Sequence, residues 1–174
     1  MDAIIDLMKK TADKECKNPK AAYPECVDCS RSGLCGPSST APSCYDPNSR
    51  KIYVCYDRLT DVELIDEYLK HEIVHAYDHC CRKDYFVPPK KGENVTSYCL
   101  HLACSEVRAY CFSGLCDHLL EGNERKECVK AHVIESLKNE PRCKGSAQAW
   151  AHQAVFGMYK GCYIEKGGTP GPPP

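Results

Sequence analysis

The chain has 174 residues, close to the upper end of one ordinary domain, with 23 Lys and Arg against 24 Asp and Glu. This near balance of charge argues against a nucleic-acid-binding domain and against a polybasic membrane anchor. Fifteen residues are cysteine, a content typical of disulfide-stabilised proteins and unusual in a reducing cytosol. The composition therefore favours a disulfide-containing domain in an oxidising compartment.

The sequence divides into an N-terminal segment at 1–25, a single domain at 26–163 and a Gly/Pro-rich tail at 164–174 that we expect to be disordered. Residues 1–20 lack the apolar core and the small-residue cleavage site of a secretory signal peptide. No window approaches the roughly 20 apolar residues of a membrane-spanning helix. The sequence thus combines an oxidised composition with no evident export signal.

Residues 13–50 are rich in Cys, Pro, Ser and Asp and show little hydrophobic periodicity. We interpret them as loops held together by disulfides. The alternative is a four-cysteine zinc site formed by Cys26, Cys29, Cys35 and Cys44. A typical zinc ribbon contains two C-x-x-C pairs, whereas this segment contains one, so disulfides are favoured.

A strand and a helix are predicted next. The β-branched and aromatic residues at 51–56 follow a turn-forming sequence at 46–49 and predict a strand. Thr60 and Glu63 have the spacing of a capping box, which predicts the start of a helix. Its apolar positions recur every three or four residues, at Val62, Ile65, Leu69, Ile73, Ala76 and Cys80.

Three further helices are predicted at about 98–113, 124–139 and 146–160. A loop at 83–97 precedes the first of them, and Gly114 is a typical C-terminal cap for it. The last two helices form a hairpin, which would place Cys128 beside Cys162 and predicts a disulfide between them. The predicted fold is therefore α+β and mainly helical, with a small sheet, a C-terminal helical hairpin and several disulfides.

The first helix contains the H-E-x-x-H pattern at residues 71–75. Residues four apart lie on one face of a helix, so His71 and His75 can bind the same zinc ion. Glu72 flanks that ion and can act as the general base toward the attacking water. The alternative is a pair of surface histidines, but the apolar neighbours and the position in the middle of a helix favour a zinc site.

A catalytic zinc site needs a third protein ligand. The candidates are Asp78, His79, His101 and Glu106. His79 is about 12 Å from His71 along an intact helix, too far for a shared ion. Asp78 is also too distant and is better suited to hydrogen-bonding a ligand histidine. We predict Glu106 as the ligand, as in gluzincins, although it could instead pair with a basic residue of its own helix. His101 is kept as an alternative ligand or an oxyanion-stabilising group. The other histidines expected at the surface are His118, His132 and His152.

The stretches at 71–80, 101–109 and 113–116 resemble the mitochondrial inner-membrane protease family that processes and helps to assemble ATP synthase. The resemblance covers about residues 26–163 and is far more specific than the five-residue motif alone. It implies a zincin-like metalloprotease with one catalytic zinc ion, attached peripherally to the inner membrane on its intermembrane-space side. It also implies that the substrate is the precursor of the ATP synthase proton-channel subunit, whose assembly the protein assists.

Two other functions stay open at this point. The chain could be an assembly chaperone with a dispensable or inactive protease site, or a secreted disulfide-rich binding module in which the motif is accidental. Nucleic acid is not an expected partner. Since the cysteine count is odd, at least one thiol lies outside an intramolecular disulfide. We expect it among the cysteines that the family pattern lacks or places differently, which are Cys80, Cys81, Cys99 and Cys111.

Overall fold

The computed structural model describes residues 24–36, 40–81, 95–119 and 122–157 and, within them, all side chains except those of Val62, Cys80 and Cys81. The chain divides into two compact units, one before residue 85 and one after it, which are described separately. The predicted tail at 164–174 and most of the predicted loop at 83–97 lie outside the described residues.

The first unit contains a small three-stranded sheet. Its strands are β1 (Pro24–Val27), β2 (Ser43–Asp46) and β3 (Lys51–Cys55), in the spatial order β1-β3-β2. β1 is parallel to β3, and β2 is antiparallel to it. The strand predicted at 51–56 is confirmed, whereas β1 and β2 were missed because their Pro, Ser and Cys content is typical of loops.

Disulfides fix the cysteine-rich part of this unit. They join Cys29 to Cys55 and Cys35 to Cys44, and the first of them connects the single-turn helix α1 (Cys29–Ser32) to the end of β3. The disulfide interpretation of residues 13–50 is therefore confirmed for three of the four cysteines considered there. Cys26 is an exposed free thiol on β1.

Helix α2 spans Ile65–Cys81 and packs against β2 and β3. A 3-10 turn at Val62–Leu64 precedes it, and the carboxylate of Asp61 accepts a hydrogen bond from the N–H of Glu63 at 2.8 Å. The predicted helix is confirmed, but its α-helical part begins later than the expected Thr60 cap implied, because the first turn is a 3-10 turn capped by Asp61.

The described residues of the second unit form three α-helices, α3 (Val95–Ser113), α4 (Asn123–Lys138) and α5 (Ala147–Phe156). Each packs against the other two, and the predicted hairpin of α4 and α5 is confirmed. Gly114 ends α3 with a φ of 86°, a conformation that favours glycine. α3 begins earlier than predicted, and α5 ends earlier, at Phe156.

The core of this unit is apolar and disulfide-linked. Fully buried members include Val107, Val129, Val133, Leu137 and Ala151. Disulfides join Cys99 to Cys143 and Cys116 to Cys128. One prediction is thereby wrong: Cys128 does not pair with Cys162, because the turn after α3 brings Cys116 to the start of α4. Cys99 is also removed from the four candidates for the unpaired thiol, because the α4–α5 connection brings Cys143 to it.

Hydropathy gives no membrane span: among the described helices, none combines the length and the apolar content needed to cross a bilayer.

Candidate metal centre

The H-E-x-x-H residues lie in the middle of α2, where one helical turn brings both imidazoles together. The Nε2 atoms of His71 and His75 are 2.9 Å apart, and the rings meet edge to face with centroids 4.6 Å apart. His75 is 7% exposed, and His71 is half-buried. The convergence expected for residues four apart on a helix is therefore present in the structure.

This arrangement is compatible with a shared metal ion. Zinc–nitrogen bonds are about 2.0–2.1 Å long, so one ion can reach two nitrogen atoms that are 2.9 Å apart. A hydrogen bond between two neutral rings, with one N–H donating to the other nitrogen, gives a similar distance. Imidazole nitrogens are donors that zinc prefers, and this pair fits the metal that the motif predicts.

Glu72 follows His71 on α2 and is directed toward the sheet. Its carboxylate Oε1 accepts a hydrogen bond of 2.8 Å from the hydroxyl of Ser43 on β2. Both side chains are buried, with 6% exposure for Glu72 and 5% for Ser43. Ser43 was not among the predicted site residues, because the two residues are 29 positions apart and β2 itself was not predicted.

A second polar contact joins the same strand to the same helix. The Tyr45 hydroxyl lies 2.8 Å from Nδ1 of His79, and their rings are in tilted contact. Burial raises the pKa of Tyr45 to about 12 and lowers the pKa of His79, with nearby Arg50 also disfavouring the imidazolium. At neutral pH the phenol is therefore protonated and can donate to the neutral imidazole of His79.

Asp78 is fully buried on α2, with 1% exposure. It lies seven residues after His71, which places the two on the same side of the helix and about two turns apart. Its direct use as a ligand is disfavoured by that spacing. The hydrogen bond from the N–H of a ligand histidine to the Asp78 carboxylate stays a prediction.

Glu106 and His101 belong to the second unit, where both lie half-buried on α3. The residues on either side of Glu106, Ser105 and Val107, are fully buried. Five positions along a helix correspond to about 140° of rotation, so Glu106 and His101 project from different sides of α3. The two residues are therefore alternatives for the role of third ligand, and the oxyanion-stabilising role of His101 stays a prediction.

The remaining histidines have different surroundings. His118 and His152 are exposed, as expected. His132 is half-buried and stacks on Tyr110, with ring centroids 5.0 Å apart, so its expected surface position is corrected. The hydroxyl of Tyr110 in turn hydrogen-bonds that of Ser136 at 2.9 Å, which indicates a packing role for this group.

Comparison with known proteins identifies relatives of the chain. It is 31% identical to the "Mitochondrial inner membrane protease ATP23" of Mycosarcoma maydis over 127 residues, which is 68% of this chain and 54% of the relative. Proteins of the same name from Neosartorya fischeri and Pyricularia oryzae are 29% and 32% identical, over 64% and 66% of this chain and 46% and 42% of their own lengths. The chain thus spans about half the length of the curated relatives it matches.

No solved structure shows a significant match to the chain. A family model, in contrast, matches nearly all of it, over residues 1–167, and that model describes the peptidase M76 family. The match includes the helix that carries His71, Glu72 and His75. The chain belongs to the peptidase M76 family.

Proposed function

We propose that this chain is a zinc metalloendopeptidase of the zincin type. The observation that carries the proposal is the convergence of the His71 and His75 Nε2 atoms, on a helix that also carries the buried Glu72, in a chain of a peptidase family. His71 and His75 would hold the zinc ion, with Glu106 as the third ligand. The choice of Glu106 is supported by its place on the next helix of the chain and by its resemblance to gluzincin sites.

The residues would divide the chemistry of peptide-bond hydrolysis between them. A bound zinc ion polarises the scissile carbonyl and increases the acidity of the attacking water. The Glu72 carboxylate takes a proton from that water and delivers it to the leaving amide nitrogen. Its oxygen Oε1 accepts the hydrogen bond from Ser43, which leaves Oε2 for the water. We further propose that Asp78, buried on the same helix, orients a ligand histidine.

We also propose that the protein acts at the mitochondrial inner membrane, attached peripherally on the intermembrane-space side. The support comes from relatives named as mitochondrial inner membrane proteases and from the disulfides of both units, which fit an oxidising compartment. The family resemblance makes the precursor of the ATP synthase proton-channel subunit the proposed substrate, and assembly of ATP synthase the proposed second role.

Replacing Glu72 with Gln tests the proposed chemistry. Because the amide cannot accept the proton, peptide cleavage should fall by about 10²–10⁴-fold while the zinc content is retained. Glu63→Gln, at an exposed position in the 3-10 turn before the same helix, is the matched control and should cleave normally. Cleavage by Glu72→Gln at the wild-type rate would refute the mechanism.

The third ligand is tested by the zinc content of two variants. Glu106→Ala should lose zinc at chelator concentrations that the wild type withstands, whereas His101→Ala should retain it. The opposite result would assign the ligand role to His101.

Measuring ATP synthase assembly with Glu72→Gln distinguishes the chaperone alternative from the peptidase. An assembly role that does not need proteolysis would survive this substitution, whereas peptide cleavage would not.

A further inference from the structure

We propose that Ser43 is a positioning residue for Glu72, through which the edge strand β2 sets the orientation of the general base. This inference rests on the proposed function and goes beyond the zinc motif, since Ser43 lies outside it. The Ser43 hydroxyl donates to Glu72 Oε1 at 2.8 Å, and both groups are buried. A hydrogen bond to a charged acceptor in a buried environment is stronger and more directional than one in water.

Ser43 is itself held in place by the sheet. It lies opposite Val54 of the central strand in the antiparallel ladder, and the carbonyl of the preceding Pro42 accepts the N–H of Cys55 at 2.8 Å. The hydroxyl therefore projects from a strand end whose backbone is fixed on one side by β3. A hydrogen-bond donor whose backbone is fixed restricts the orientation of its acceptor more than a donor on a loop does.

The contact between Tyr45 and His79 fixes the strand to the helix at a second point. Ser43 and Tyr45 are two positions apart on β2 and so face the same side, while Glu72 and His79 are seven positions apart on α2 and share one face of the helix. Two polar contacts between one strand and one helix oppose both sliding and rotation of the helix against the sheet. The orientation of the Glu72 carboxylate thus depends on β2 as well as on its own helix.

The expected consequence for catalysis is a defined position of the second carboxylate oxygen. With Oε1 engaged by Ser43, rotation about the last side-chain bond of Glu72 is restricted, and Oε2 stays directed away from the strand. Without the hydroxyl the carboxylate can rotate, and fewer of its orientations suit proton transfer. Misplacement of a catalytic group by about 1 Å can cost about 10²-fold in rate. The effect falls on kcat, because Ser43 is not proposed to contact the substrate.

Ser43→Ala in the full-length, zinc-containing protein tests this inference. We expect kcat per bound zinc to fall by about 10–100-fold, with KM and the zinc content unchanged. Ser43→Thr keeps the hydroxyl, suits a strand position and should recover most of the lost kcat. Ser136→Ala is the matched control, because it removes a serine hydroxyl that hydrogen-bonds Tyr110 in the second unit, and it should leave kcat unchanged.

Three results would overturn the inference. The first is a wild-type kcat for Ser43→Ala. The second is a loss of activity in Ser43→Ala that is explained entirely by its loss of zinc or of folded protein. The third is a folded, zinc-containing Ser43→Thr whose kcat is no higher than that of Ser43→Ala. The proposed peptidase function is tested independently by Glu72→Gln, so its failure can be distinguished from these three results. A wild-type rate for Ser43→Ala together with an inactive Glu72→Gln would reject the positioning role and leave the peptidase assignment intact.

Discussion

Removing the disulfide between Cys99 and Cys143 should cost more stability than removing the disulfide between Cys116 and Cys128. Cys99 lies in the second turn of α3, and Cys143 lies in the connection between α4 and α5. Both side chains are fully buried. The bond links the beginning of α3 to the turn between α4 and α5. The perturbation is the double replacement of these cysteines by alanine.

The magnitude follows from the length of chain that each disulfide closes. A separation of 44 residues corresponds to about 4 kcal/mol of lost chain entropy in the unfolded state. The Cys116–Cys128 disulfide lies inside this loop and shortens it to about 33 residues, which lowers the value to about 3.7 kcal/mol. The inner disulfide closes only 12 residues and corresponds to about 2.8 kcal/mol.

The assay is urea unfolding of the oxidised protein, followed by far-ultraviolet circular dichroism. Cys99→Ala/Cys143→Ala should lower the free energy of unfolding by about 1 kcal/mol more than Cys116→Ala/Cys128→Ala does. Cys26→Ala is the control, because this thiol is exposed and free, and it should change stability by less than about 0.5 kcal/mol. The reasoning is refuted if the outer pair costs less than the inner pair.

Two further predictions concern charged groups. Because burial holds the pKa of His79 below its ordinary value, the unfolded chain binds a proton there that the folded chain does not, so stability should fall as the pH drops below about 6.5. A nuclear magnetic resonance titration that gives His79 an unshifted pKa would contradict this. Arg125 is 2% exposed and pairs with Asp117 at 3.0 Å, so Asp117→Ala should cost about 2–3 kcal/mol. Glu135→Ala, which breaks an exposed pair, should cost less than about 1 kcal/mol in the same urea assay.

The sequence predicts the parts of this fold that depend on local patterns. The helix of His71 and His75 has regular apolar spacing, and β3 is rich in β-branched and aromatic residues, so both are recognised without tertiary information. The convergence of the two imidazoles follows directly from helix geometry. The H-E-x-x-H pattern indicates Glu72 as the general base. The prediction of Glu106 as the third zinc ligand rests on its resemblance to the gluzincin site.

What the sequence does not predict depends on contacts between distant residues. β1 and β2 are stabilised by pairing with β3 and not by their own composition, so local propensity misses them. The contact of Ser43 with Glu72 and the disulfide of Cys99 with Cys143 have no spacing rule, since each requires the packing of separate elements. Cysteine connectivity in particular cannot be deduced from positions along a chain.

The order of the strands has a consequence for how the site assembles. β2 and β3 form a hairpin across residues 47–50, and α2 follows soon after them in the chain. β1, in contrast, reaches the other side of β3 only by closing a much longer loop. Loop-closure entropy therefore favours early formation of the hairpin, whereas contact of Ser43 with Glu72, 29 positions apart, also needs α2 to dock on β2. The disulfide between Cys29 and Cys55 closes a loop that contains Ser43. We therefore expect oxidation to restrict the strand from which Ser43 reaches Glu72, and so to hold the general base in place from outside its own helix.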